Sequence, residues 1–259
     1  LKKRGLISDL AEATAFLTRL PVPERLFYQE HSGSDASWAF PLAAVLAVLP
    51  SAALLLLIST IGGSTALSVF LALCLYVLVT GALHEDGLAD CADGLFGGKS
   101  KENVLAIMKD SRIGTYGVLA LVFSVGLRLI ALSHLAGSSG TGFAVGALIC
   151  GASAGRALML AHWSFIPPAK KDGAAAALGQ PVLSTLLSGL FAPFLLLALL
   201  AVLTNSIPAV SLAVLASGVA AFMFSRFANR RIGGHTGDTL GATAQIGECV
   251  FLATLAIFL

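Results

Sequence analysis

Residues 65–94 read TALSVFLALCLYVLVTGALHEDGLADCADG, in which 19 uncharged residues run directly into a histidine and four carboxylates. A run of that length suits a membrane span, and charge placed at its end is costly unless something there requires it. Read as a helix at 100° per residue, Asp86, Asp90 and Asp93 share an arc of roughly 60° and form one acidic stripe. Glu85 falls about 100° off the stripe and His84 stands near its far edge. Like charges at this spacing repel, and a divalent cation removes the conflict. Oxygen donors on a spaced stripe suit a hard ion, Mg²⁺ or Mn²⁺, that keeps waters and accepts phosphate oxygens. A solvated acidic helix end is the simpler alternative. It does not account for Gly81, Gly87 and Gly94, which let a ligand or a second backbone approach.

Outward from this stretch the composition is that of a membrane protein: 57% hydrophobic and 12% charged residues over 259 positions, with a mean hydropathy of +0.89. The expected fold class is all-α, a polytopic membrane helix bundle forming a single transmembrane domain over 1–259. Its working loops are expected at 84–117, 164–181 and 226–248. Cys74, Cys91, Cys150 and Cys249 have no C-x-x-C spacing, so neither a zinc site nor a disulfide framework is expected. A formal charge of +2 gives no case for nucleic acid.

Apolar runs at 42–61, 65–83, 115–136, 141–163, 182–203, 206–225 and 240–259 predict seven spans. Ahead of them, 6–20 has the periodicity of an interfacial amphipathic helix, preceded by Lys2-Lys3-Arg4 and ended by Pro21. Asp9 and Glu12 argue against a cleaved signal peptide. The segments 1–41, 84–114, 164–181 and 226–239 hold 14 of the 16 Lys and Arg and 13 of the 14 acidic residues. By the positive-inside rule these face the cytoplasm, the N-terminus with them. Arg128, Arg156 and Glu248 fall inside spans, where each is expected to face the bundle interior and a partner. Gly142, Gly146, Gly151 and Gly155 predict close helix packing. Pro50 and Pro193 lie inside the first and fifth spans.

Three further groups carry chemistry. Lys109 and Arg112, with Asp110 between them, lie beside Gly114 and Gly117 and form a candidate phosphate clamp; basic anchors at a helix end are the alternative. Lys170 and Lys171 serve as anchors or reach an anionic substrate. At 230–248, RRIGGHTGDTLGATAQIGE, Thr236 and Asp238 read either as helix caps or as the start of a polar face continued by Gln245 and Glu248. A glycine-flanked helix N-terminus also attracts phosphate.

Taken together, His84-Glu85-Asp86-Gly87-Leu88-Ala89-Asp90 through Asp93-Gly94, Met108 to Thr115, and Gly233 to Ala242 resemble the cobalamin synthase family, the adenosylcobinamide-GDP ribazoletransferases. Phe16-Leu17-Thr18-Arg19-Leu20-Pro21-Val22-Pro23 is similar to that family's N-terminal signature. The resemblance implies a multi-pass enzyme of the cell inner membrane in late cobalamin biosynthesis. It would join adenosylcobinamide-GDP to α-ribazole, or its 5′-phosphate, with release of GMP and dependence on Mg²⁺. Under it, Asp86, Asp90 and Asp93, with Glu85 at the edge of the set, hold metal on the pyrophosphate. Lys109 and Arg112 hold the leaving phosphate, and His84 or an aspartate takes the hydroxyl proton. Asp110 and Asp238 are counted with the catalytic residues, and Gly233, Gly234, Thr236 and Gln245 with the binding residues. Membrane lipid surrounds the chain, and a homo-oligomer is left open. Two other classes compete: a CDP-alcohol phosphotransferase, whose pattern continues into an Ala-Arg pair and two later aspartates missing here, and a divalent cation transporter, which needs polar groups along the outer halves of the spans.

Overall fold

The computed structural model describes residues 5–27, 33–170 and 172–259, so Lys2, Lys3, Arg4 and Lys171 lie outside the described residues. The regular elements described are helices, joined by short 3₁₀ turns at Glu24–Leu26 and Asp35–Ala39 and one isolated bridge. In order they are α1 (Leu6–Leu17), α2 (Phe40–Thr60), α3 (Thr65–Thr80), α4 (Leu83–Gly97), α5 (Lys101–Ile107), α6 (Thr115–Ser138), α7 (Thr141–Phe165), the one-turn α8 (Ala174–Ala177), α9 (Leu183–Leu203), α10 (Ile207–Ile232) and α11 (Gly237–Phe258). Six of them, α2, α6, α7, α9, α10 and α11, are long and apolar enough to cross a membrane, and α3 with α4 forms a seventh candidate bent by 86°. The bundle is the polytopic all-α fold expected. The sixth run departs from expectation, because α10 continues to Ile232, beyond its apolar stretch. Its added turns pack Ala228 and Ile232 against Cys91 and Leu95 of α4.

The central helix is α7, which packs on α2, α9 and α11. Its glycines permit this. A Cβ at Gly155 would stand 2.6 Å from the Ala244 carbonyl oxygen, one at Gly151 3.4 Å from Phe251, and one at Gly146 2.8 Å from Leu200. Close backbone approach of this kind supplies van der Waals contact where lipid removes the hydrophobic drive between helices. Gly142 faces open space and takes no part in it. The outward faces of α6, α9 and α10 carry exposed Phe123, Ile130, Phe191, Phe194, Leu215 and Phe222, as a lipid-facing surface requires.

The bend between α3 and α4 comes from two successive left-handed residues, Gly81 (φ 63°, ψ 29°) and Ala82 (φ 57°, ψ 19°). Only glycine adopts that region freely, so Ala82 holds it at a cost of about 1–2 kcal/mol. The chain leaving α1 docks on this corner: Arg19 N–H donates to the Val79 carbonyl at 2.7 Å, and a Cβ at Gly81 would lie 2.5 Å from Arg19 Nε. The first helix ends at Leu17, three residues before its periodicity does, because Thr18 turns extended and bonds back to Thr14. It lies against α2 with Leu6, Ile7 and Phe16 exposed, while buried Asp9 accepts a 2.7 Å bond from Trp38 Nε1.

The charges inside the spans find one another. Arg128 on α6 binds Glu85 at 2.9 Å and Glu248 at 3.4 Å, and Arg156 on α7 binds the other oxygen of Glu248 at 2.8 Å. Tyr76 adds its hydroxyl to Glu248 at 3.4 Å and its ring beneath Arg156. The Gln245 amide oxygen completes Arg128, at 2.8 and 3.2 Å, since a guanidinium offers only donors. Two cations and two anions thus cancel in an apolar interior, where any one alone would be strongly disfavoured.

Candidate active site

The acidic helix α4 is fixed twice near its C-terminus. Arg231 Nη2 donates to the carbonyls of Leu95 and Gly98, a cation on a helix C-terminus. Asp93 accepts from the backbone N–H of Gly114 at 2.7 Å and of Gly117 at 2.9 Å, and so caps α6. N-terminal to these anchors Asp86 is exposed and Asp90 half-buried. The N-terminus of α11 comes down on the same face: a Cβ at Gly87, between the two aspartates, would lie 2.8 Å from the Asp238 carbonyl oxygen. That approach brings Asp238 to the stripe from the far end of the chain.

The cap question at α11 is settled by Thr236. Its hydroxyl oxygen accepts from Thr239 N–H, and Thr239 returns a bond to Thr236 N–H. Asp238 stands within the first turn, its carboxylate accepting from Thr236 Oγ1 at 3.3 Å. Just before it, His235 and Pro168 form a parallel bridge, with His235 N–H on the Pro167 carbonyl (2.8 Å) and Ala169 N–H on the His235 carbonyl (2.9 Å). A Cβ at Gly234 would meet Ala169 N at 2.5 Å, so this stitch demands glycine. The two loops are thereby locked, and Lys170 lines the same cavity as Asp238.

Two cavities meet at His235, Gly237 and Asp238. The first, of about 280 Å³, has walls of Phe16, Phe40, Leu83, Met159, Trp163 and Leu240, with His84 and Asp86 on its polar side. The second, of about 320 Å³, carries Lys109 and Lys170. One is apolar and aromatic; the other is cationic.

Several candidate residues take different places from those their spacing suggested. Glu85 and Gln245 are turned off the stripe and held by Arg128 inside the bundle, as the 100° offset of Glu85 allows. Arg112 is 87% exposed and forks Asp110 through Nε and Nη2, away from the stripe. That fork holds the Asp110 carboxyl down at about 2, so the pair stays charged. Lys109 is the member of the proposed clamp that lines a cavity. Gly233 is the left-handed C-cap of α10, and Gly234 the bridge glycine, so both shape the loop. His84 is buried, its Nδ1 3.1 Å from Arg156 Nη2. Arg156 can only donate, so Nδ1 accepts and the proton of neutral His84 sits on Nε2. His235, assigned no role from its position, lines both cavities; burial pushes its pKa down.

Among the described residues no three Asp, Glu, His or Cys side chains converge as a ready metal cage. Asp86, Asp90 and Asp238 instead form an open, oxygen-only set beside a cationic cavity. This fits Mg²⁺, which binds through one or two carboxylates and takes its remaining ligands from water and substrate phosphate.

A membrane helix bundle that gathers carboxylates, lysines and an aromatic cavity at one end of its spans is built for a ligand part phosphate and part ring. The model of the family described as cobalamin-5-phosphate synthase matches residues 9–256, and the chain belongs to that family. Proteins named adenosylcobinamide-GDP ribazoletransferase are similar over nearly their whole length: 47% identical in Allorhizobium ampelinum and 46% in Rhizobium meliloti, each over 98% of both chains, and 41% in Azorhizobium caulinodans over 100% of this chain and 98% of that one. No solved structure matches the chain. Family membership favours neither the CDP-alcohol phosphotransferase nor the transporter.

Proposed function

We propose that the chain joins adenosylcobinamide-GDP to α-ribazole, or to its 5′-phosphate, and releases GMP, at the cytoplasmic face of the inner membrane. The observation that carries this reading, beside the family, is the meeting at Asp238 of an aromatic cavity and a lysine-lined one. A transferase joining a base-bearing alcohol to a pyrophosphate needs both compartments with a carboxylate cluster between them.

In the reaction, a hydroxyl of the ribazole attacks the phosphorus attached to the aminopropanol arm. The bond from that phosphorus to the bridging oxygen breaks, and GMP leaves with the second phosphate. Asp86, Asp90 and Asp238 would hold Mg²⁺, which when bound neutralises the pyrophosphate charge. Asp93 adds its charge while fastening the set to α6. Lys109 and Lys170 bind the departing phosphate oxygens as point charges. The hydroxyl proton passes to an aspartate rather than to His84, whose Nδ1 is occupied by Arg156 and whose Nε2 is already protonated. Alignment and charge neutralisation supply most of the rate in such transfers. The charged loops face the cytoplasm, where nucleotide substrates are found.

GMP formation from adenosylcobinamide-GDP and α-ribazole, measured on the reconstituted chain with and without a chelator, tests the reading. Turnover should need added Mg²⁺, and Asp86→Asn and Asp90→Asn should each lower it at least a hundredfold while the protein stays folded. Undiminished turnover after complete chelation would end the metal assignment. Absence of GMP under all conditions would end the reaction itself.

A further inference from the structure

The aromatic cavity has a polarity that its apolar walls do not explain. His84 and His235 are each 1% exposed, both line it, and each has an Nε2 without a partner among the described residues. Their tautomers are opposite. His84 Nδ1 accepts from Arg156, so Nε2 is an N–H donor. His235 Nδ1 lies 2.8 Å from the Ile166 carbonyl oxygen, which can only accept, so Nδ1 donates and Nε2 is a bare acceptor. A buried donor and a buried acceptor left unpaired are each costly, and in native proteins such groups mark a missing partner.

Resting on the reaction proposed above, we infer that this cavity is the subsite for the aromatic base of the ribazole, with His84 Nε2–H donating to the base's unsubstituted ring nitrogen. Its volume, about 280 Å³, is near the lower end of ligand pockets, which begin at roughly 300 Å³, so it suits a flat ring system with its sugar rather than a corrin macrocycle. Phe16 and Phe40 stack at 5.6 Å and Phe40 meets Trp163 at 6.0 Å, which gives a flat base aromatic walls. A glycosylated benzimidazole has one polar edge atom, an acceptor, and the wall has one donor for it. His235 Nε2 then receives a ribose hydroxyl, and the sugar points toward Asp86 and Asp238 on the polar side. Guanine in the same slot would bury its own N–H donors against phenyl and indole carbons.

Equilibrium dialysis on the full chain in lipid nanodiscs tests the assignment, with labelled α-ribazole, its indole counterpart in which the ring nitrogen is CH, and GMP. The indole counterpart should bind at least tenfold more weakly than α-ribazole, and GMP should not displace α-ribazole. Leu83→Trp fills the cavity from a residue that is 42% exposed and so tolerates bulk; it should weaken α-ribazole at least tenfold and leave GMP within twofold. Equal binding of the two ribosides, displacement by GMP, or unchanged affinity in Leu83→Trp would each overturn the subsite. GMP formation by the unaltered chain, scored in parallel, separates the two readings: a chain that turns over but binds both ribosides equally keeps the reaction and loses the subsite.

Discussion

Replacing Asp238 with asparagine separates a binding role from a structural one, because the structure assigns the helix cap elsewhere. Thr236 caps α11 and Thr239 closes the box, so Asp238→Asn leaves every backbone bond of the cap in place. What it removes is one negative charge near a helix N-terminus, about 0.3–1 kcal/mol of stabilisation. Against this stands relief of repulsion between Asp238 and the aspartates of α4, so the net change in stability should stay within about 1 kcal/mol. Activity should respond on another scale. Loss of a group that holds or orients a metal costs at least 10–100-fold in affinity, and the charge also faces the substrate pyrophosphate. GMP formation at limiting Mg²⁺ should therefore fall at least a hundredfold, with partial recovery at high Mg²⁺. Thr236→Val should do the reverse: about 0.5–2 kcal/mol of stability lost with the carboxylates untouched. Thermal unfolding and GMP release are measured on both variants. Near-normal turnover by Asp238→Asn at low Mg²⁺ would refute the assignment, and a large drop in its stability would refute the reading of the cap.

Glu248→Gln leaves two buried arginines with only Glu85, and breaking a buried pair costs about 3–5 kcal/mol, so this variant should fail to accumulate or melt far below the parent; a wild-type melting curve would contradict the network. Ala82→Gly removes a side chain from a left-handed position and should raise stability by about 1 kcal/mol, read from denaturant midpoints in detergent. A cysteine placed at exposed Ser138 should react with an impermeant thiol reagent only from the periplasmic side, whereas one at Lys170 should react only from the cytoplasmic side; labelling of both from one side would reverse the topology.

Much of the bundle was legible because span length and charge exclusion act locally. Between Asp35 and Glu85 the chain has no charged side chain, and α2 and α3 fall inside that interval. The helical stripe of Asp86, Asp90 and Asp93 was equally readable, since its geometry needs only one helix. What escaped was pairing across the bundle. Glu85 sits among acids in sequence and reads as part of their set, yet its partner Arg128 is 43 residues away, and Glu248 joins the same arginine across 120 residues. Its 100° offset was the available clue.

The same limit explains the aromatic cavity, and why its polar side matters more than its walls. Phe16, Phe40 and Trp163 come from α1, α2 and α7, and in any of these an aromatic residue is ordinary. Only the fold places them around His84, and only the hydrogen bonds of His84 and His235 assign their tautomers. Arg156 links the two levels: it closes the buried ion network through Glu248 and fixes the donor nitrogen of His84 through Nη2. A network that looks purely structural thereby sets which ring nitrogen faces the ligand. A change that puts an acceptor beside His84 Nδ1, such as Arg156→Gln, should then alter discrimination between α-ribazole and its indole counterpart even where the protein still folds. If Arg156→Gln folds and discriminates as the parent does, the link from network to cavity is broken, whatever the cavity binds.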